Sequence, residues 1–230
     1  MPTPIPRSAR TGGSTRAQVY MQLRDAIVAA ELRPGQQLSE NELAATLGVS
    51  RTPIREALVR LVDDRLVEIV PQLGTFVSLI SEQGVRDAQF VREALECAAV
   101  RLAAERASKA DVEALSGILT RQREVRDRVD HDRFYVLDDE LHSALCDLSG
   151  HSIVWSLSQR ANGHLNRVRR LSLTQPRYLT EMVAEHELVV EAVRRKDPDA
   201  AEIALRHHLR MVLSALPEIH NEHPEYFTGQ

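Results

Sequence analysis

Between Ser39 and Leu79 the apolar period changes from that of a helix to that of a strand, and the punctuation around the change leaves few folds open. Ser39-Glu40-Asn41-Glu42 has the form of a capping box, in which the serine accepts from the Glu42 amide. It opens a short helix holding Leu43 and Leu47, which Gly48 ends. After a short turn Pro53 stands in the first turn of a second helix, where its missing N–H costs nothing. Ile54, Leu58, Leu61 and Val62 give that helix one apolar face. Leu66–Val70 and Thr75–Leu79 are then short runs rich in β-branched residues around Pro71 and Gly74, the pattern of a hairpin. Upstream, Val19, Leu23, Ile27 and Val28 share a helical face closed by Pro34-Gly35. Residues 15–80 therefore read helix, helix, turn, helix, β-wing: a winged helix-turn-helix. Residues 1–14, of Pro, Arg, Ser and Gly with no apolar run, read as a flexible arm and not as a secretory leader, which points to the cytoplasm.

From Ser81 onward every period is helical. A first stripe runs Val91, Leu95, Ala98, Leu102, and Ser108 with Asp111 opens the next helix. A third helix holds Phe134 to Leu148, a fourth spans 152–173, a fifth carries Met182, Val183, Val190 and Val193, and Asp197-Pro198 opens a sixth. The expected fold is mainly α: the winged head over 15–80, an all-α bundle of six to seven helices over 81–217, and a C-terminal tail over 218–230 beginning at Pro217. Aromatics make up only 4% of the chain, so Leu, Val, Ile and Ala must build the core, which suits packed helices. No apolar run reaches the roughly 18 residues of a membrane span. Cys97 and Cys146 lie in apolar helical patterns and read as buried thiols. The net charge is −4, with nine Arg against eight acids before residue 81. A nucleic-acid partner would thus have to be met by a local basic element.

Such an element exists. Arg51 and Arg55, four apart at the start of the second helix of the motif, lie opposite its apolar face. Arginine can donate a bidentate pair to guanine, and the hydroxyls of Ser50 and Thr52 suit phosphate. A merely solvated helix face is the alternative. In the bundle, polar residues occupy leucine positions: His186 within the Met182–Val193 stripe, His208 between Leu205 and Val212, and Asp138 with His142 one turn on. Three imidazoles and a carboxylate from three helices could satisfy one another on a divalent ion, with zinc favoured over nickel or manganese. Separately hydrogen-bonded core groups are the alternative. His207 falls off the stripe, and His131, His164, His220 and His223 join no constellation.

The run from Leu32 to Glu40, then Glu42-Leu43-Ala44 and Leu47 to Leu58, resembles the GntR family of bacterial transcriptional regulators. Asp138-Asp139-Glu140-Leu141-His142, Glu185-His186 and Arg206-His207-His208-Leu209 are similar to the FCD effector domain of its FadR branch. The resemblance implies DNA contacts at Ser50, Arg51, Thr52 and Arg55, with the wing tip at Gly74 entering the minor groove. It implies one divalent metal ion per subunit on Asp138, His142, His186 and His208. Arg92 and Arg169 become candidates for a small carboxylate effector, or else solvated charges. The chain departs from the pattern at Asn41, at Arg65 where glycine is usual, and in a wing without a cation. The expected function is that of a homodimeric regulator, a repressor by expectation, on palindromic double-stranded operator DNA, with no membrane partner and no catalysis. A metal-dependent hydrolase using the Asp/His3 site is the competing reading.

Overall fold

In the computed structural model, which describes residues 15–174 and 176–229, the arm expected over 1–14 lies outside the described residues. The helix signals of the sequence become α1 (Thr15–Val28), α2 (Glu40–Leu47) and α3 (Arg51–Asp63), with strands β1 (Gln37–Leu38), β2 (Val67–Val70) and β3 (Gly74–Val77). Ser39 Oγ accepts from Glu42 N at 3.4 Å, and Gly48 closes α2 at φ 67° with its N–H on Ala44 O. The strands form an antiparallel sheet in the order β1-β3-β2, with Gln37 and Glu68 both opposite Phe76. β1 was not legible, because two residues carry no period. It has a local purpose: Gln37 Nε2 donates to Leu73 O at 3.0 Å and so ties down the wing. Gly74, at φ 127°, leaves the room this needs, since a Cβ there would lie 2.8 Å from Gln37 Nε2. Leu23 and Ile27 of α1, Ile54 and Leu61 of α3, and Val67 and Val77 of the sheet bury the core of this head. Arg65, in the usual glycine position, takes φ 57° in the turn from α3 to β2.

The remaining helices are α4 (Glu82–Arg106), α5 (Lys109–Asp127), α6 (His131–Leu148), α7 (Ile153–Ala161), α8 (Gly163–Ser172), α9 (Pro176–Arg194) and α10 (Pro198–Glu222). The chain divides into two compact units. One takes the residues up to Val85 with Gly163–Arg167 and His220 onward; the other takes Arg86–Asn162 and Val168–Ile219. The cap signal at Ser108 holds, since with Asp111 it forms a complete capping box on α5; at the start of α4 Gly84 N donates to Ser81 Oγ at 3.1 Å.

Three expectations are corrected. The stripe assigned to α4 is one residue off: Ala98 is exposed and Val91, Leu95 and Leu102 are only half-buried, while Gln89, Arg92, Glu96 and Val100 are buried. Two of the inward positions hold a buried ion pair, Arg92 Nε to Glu96 Oε1 at 2.8 Å, so counting apolar residues favours the wrong register. The single helix expected over 152–173 breaks at Asn162 into α7 and α8. The tail expected from 218 does not begin at Pro217. Helix α10 runs through that proline to Glu222, because burial of Ala215, Leu216 and Ile219 outweighs the lost amide. Beyond it, Ile80 N donates to Tyr226 O at 2.8 Å and Thr228 N to Ile80 O at 3.0 Å, and His220 meets Glu82 at 2.6 Å.

Candidate functional site

In the head, Ser50, Arg51, Thr52 and Arg55 are exposed together at the start of α3. Ser50 is the N-cap residue, yet its hydroxyl caps no amide. Glu40, which the sequence reading took only as part of a cap, joins the two arginines. Its carboxylate accepts from Arg51 Nη2 at 2.9 Å and from Arg55 Nε and Nη2 at 3.1 and 3.0 Å. The pairing with Arg55 first, then Arg51, pulls the Glu40 carboxyl down to about 2. Gly74 sits in the wing beside exposed Gln72 and Leu73.

In the helical unit the structure brings together Asp138 and His142 of α6, His186 of α9 and His208 of α10, all buried. His208 Nε2 lies 3.1 Å from His142 Nε2 and 3.2 Å from His186 Nε2. Asp138 Oδ1 is 3.2 Å from His186 Nε2 and 3.8 Å from His142 Nε2. His207 points outward, two-thirds exposed.

The far side of each ring decides what these atoms can do. His142 Nδ1 lies 2.7 Å from Glu96 Oε2, His186 Nδ1 2.9 Å from Gln122 Oε1, and His208 Nδ1 2.8 Å from Glu185 Oε2. The Gln122 amide is oriented by its own N–H₂, which donates to Leu137 O at 3.0 Å. Every Nδ1 therefore lies within about 3 Å of an acceptor oxygen, with hydrogen-bond geometry at His186 and His208, and in the Nδ1–H tautomer that this favours each Nε2 carries a lone pair. Glu185, lifted to about 7 by burial and then by Glu181 and Asp138, offers an acceptor oxygen in either protonation state. Burial holds His186 below the ordinary imidazole range and, with His186 and His142 beside it, His208 well below. Burial opposes ionisation of Asp138, but the Arg169 guanidinium overcomes it and keeps the carboxyl well below its usual range. Three lone pairs and a carboxylate oxygen thus meet with no proton between them. Donors about 2.0–2.2 Å from one ion stand roughly 3–3.6 Å apart; three of the distances here, 3.1, 3.2 and 3.2 Å, fall in that range, and His142 to Asp138, at 3.8 Å, lies just beyond it.

Glu96, Gln122 and Glu185 were missed as functional residues. Glu96 could have been found as a charged residue four from Arg92 on a helix needing a buried face; nothing local marks the other two. Arg92, Arg169, Asp138 and His208 line one cavity, with Tyr135 and Tyr178. Arg169 spans Asp138 and Asp139, the latter at 2.8 Å, with its guanidinium 5.0 Å from the Tyr135 ring centroid. Arg92 Nη2 is buried without a hydrogen-bond partner. The Trp155 ring lies parallel to that of His142, centroids 6.4 Å apart.

Comparison with known proteins matches residues 87–211 to the FCD domain and residues 15–77 to the bacterial regulatory proteins of the gntR family. The chain is 41% identical to an uncharacterised HTH-type transcriptional regulator in an unstable DNA locus of Streptomyces ambofaciens, over 95% of this chain and 92% of that one. It is 32% identical to the HTH-type transcriptional repressor RspR of Escherichia coli, over 93% of each. Among solved structures it resembles E. coli McbR/YncC, with TM-score 0.79 at 23% identity over 90% of this chain and 98% of that one. A putative GntR regulator from Rhodococcus sp. RHA1 follows the same fold, with TM-score 0.74 at 26% identity over 88% and 99%.

Proposed function

This chain belongs to the gntR family of bacterial regulatory proteins, with an FCD domain behind a winged helix-turn-helix, and is a DNA-binding transcriptional regulator; from that premise we propose how its two sites divide the work. The FCD-bearing architecture supports placing it in the FadR branch, acting as a cytoplasmic repressor. No helix of the described residues is long and apolar enough to cross a membrane. Residues 15–80 form the head that reads operator DNA. Residues 81–217 take the effector and make the contact of a homodimer, which presents two α3 helices to a palindrome.

Within the bundle, Asp138, His142, His186 and His208 hold one divalent ion, with zinc favoured. The observation carrying this reading is the convergence of three Nε2 lone pairs on Asp138 Oδ1 while all three Nδ1 atoms face acceptors. When bound, the ion supplies a Lewis-acid position for one carboxylate oxygen of the effector. The chain's own residues do the rest. Glu96, Gln122 and Glu185 fix the tautomers and aim the rings. Arg169 holds Asp138 ionised and in place. Arg92 offers its unmatched Nη2 to the effector carboxylate, a charge-assisted hydrogen bond in a buried site. An effector of this kind changes operator affinity only by binding the two states of the protein unequally.

The test is metal analysis of purified wild type, His186→Ala and His207→Ala, together with titration of their DNA complexes. Wild type and His207→Ala should carry about one equivalent of metal, and His186→Ala should lose it while still binding DNA. Metal retained by His186→Ala, or absent from every protein including wild type supplied with zinc, would reduce the cluster to hydrogen-bonded core groups.

A further inference from the structure

The cavity beside the cluster changes chemistry along its length, and that gradient identifies the kind of molecule that fits it. Resting on the reading that a carboxylate enters here, we propose that the effector is a monocarboxylic acid with an apolar tail, an alkanoate or arylalkanoate, and not a polyhydroxylated or multiply charged acid. At the polar end the cavity meets Asp138, His208 and Arg92. Arg92 Nε is engaged by Glu96 at 2.8 Å, and its buried Nη2 has no partner. The other lining guanidinium, Arg169, is already shared between Asp138 and Asp139. Arg92 thus keeps one unmatched N–H donor, which fits one carboxylate oxygen. A second or third carboxylate would enter beside Asp138 and Asp139 with no cation left to meet it, and an unpaired buried charge is strongly disfavoured.

Away from the cluster, the lining from α8, α9 and α10 turns largely apolar. On α10 the lining continues from His208 through Leu209, Met211 and Val212 to Ala215; Met182 of α9 lies one turn before His186, and Leu173 closes α8 one turn after Arg169. From His208 to Ala215 is about 10 Å of helix, which sets the length of the apolar lining on α10. The two methionines suit a tail of variable shape. Two hydroxyls of this region are already committed. Ser172 Oγ donates to Arg169 O at 2.8 Å, and the Tyr178 hydroxyl lies between Arg177 at 3.1 Å and Glu218 at 3.2 Å. Tyr135 meets the Arg169 guanidinium through its ring. A sugar acid carries more hydroxyls than these side chains can meet, and each one buried without a partner costs roughly tenfold in affinity.

Zinc-loaded and metal-free full-length protein are titrated by calorimetry with acetate, hexanoate, 4-phenylbutyrate, gluconate and citrate. Hexanoate or 4-phenylbutyrate should bind at least tenfold more tightly than acetate, gluconate or citrate. Ala215→Leu, which fills the far end, should weaken the tailed acids at least tenfold and leave acetate unchanged; its metal content and melting midpoint report whether it has folded. Tightest binding by gluconate or citrate overturns the tail assignment and leaves the carboxylate reading standing. A tail preference untouched by Ala215→Leu in folded protein overturns it as well. Should that variant not fold, the wild-type series alone decides between the acids. Failure of every acid to bind protein that holds zinc overturns the carboxylate reading itself, and the tail with it.

Discussion

Arg51 and Arg55 share one carboxylate, that of Glu40, and this makes their proposed contribution to DNA binding separable. Arg51→Ala and Arg55→Ala should each cost about 1–3 kcal/mol on an operator selected from random duplexes, and much less on random DNA, if they read guanine. Glu40→Gln should do the reverse: with the two guanidinia released, non-specific affinity rises and the salt dependence steepens by about one unit of slope. Anisotropy titrations across a salt series read both effects. If all three variants scale specific and random DNA equally, the arginines are phosphate contacts only. A second residue carries strain in plain view. Arg65 sits at φ 57°, a region that costs a side chain about 1 kcal/mol relative to glycine. Arg65→Gly should therefore raise the head's stability by up to about 0.5 kcal/mol once its extra unfolded-state freedom is counted. A lower denaturation midpoint in the variant would mean that the arginine contributes contacts outweighing its backbone strain.

At the level of elements, caps were legible and faces were not always. The Ser108 box holds α5 by three contacts with Asp111, at 2.7, 2.8 and 3.2 Å, so Ser108→Ala should destabilise the bundle by about 1 kcal/mol in chemical unfolding. An unchanged midpoint would show that tertiary packing alone fixes that end. The start of α2, the glycine ending it and the proline in the first turn of α3 could be read because each is a local demand of the backbone. The cluster could also be approached from sequence, because His186 and His208 interrupt leucine stripes. The α4 face could not, since its inward positions carry Arg92 and Glu96, which pair with each other, while the further contacts of Glu96, with His142 and Ser158, lie on other helices. The break at Asn162 and the continuation through Pro217 escaped for the same reason: both are settled by burial against residues far away in sequence.

The whole molecule should respond to pH through its buried histidines. His186 and His208 bind protons less readily folded than unfolded, so the unfolded state holds more protons as pH falls through the ordinary imidazole range. Stability of the metal-free protein is then fully present above about pH 6.5 and is progressively lost below it. Glu96, held near 2 against burial by Arg92, loses its contribution in the same direction as pH drops through the carboxylate range. Melting midpoints between pH 7.5 and 5 test this; a midpoint that climbs on acidification would contradict neutral buried rings. Assembly belongs to this scale too. A single winged head buries too little DNA for genomic selectivity, so light scattering should return twice 25.8 kDa, and a strict monomer that still binds its operator tightly would refute the dimer. One feature of the bundle makes the molecule its own instrument. The chain has a single tryptophan, and it stands parallel to a ring of the cluster. All indole emission therefore originates beside His142, and nickel entering the site should quench it stoichiometrically, giving occupancy in unlabelled protein from the colour and brightness of its own light.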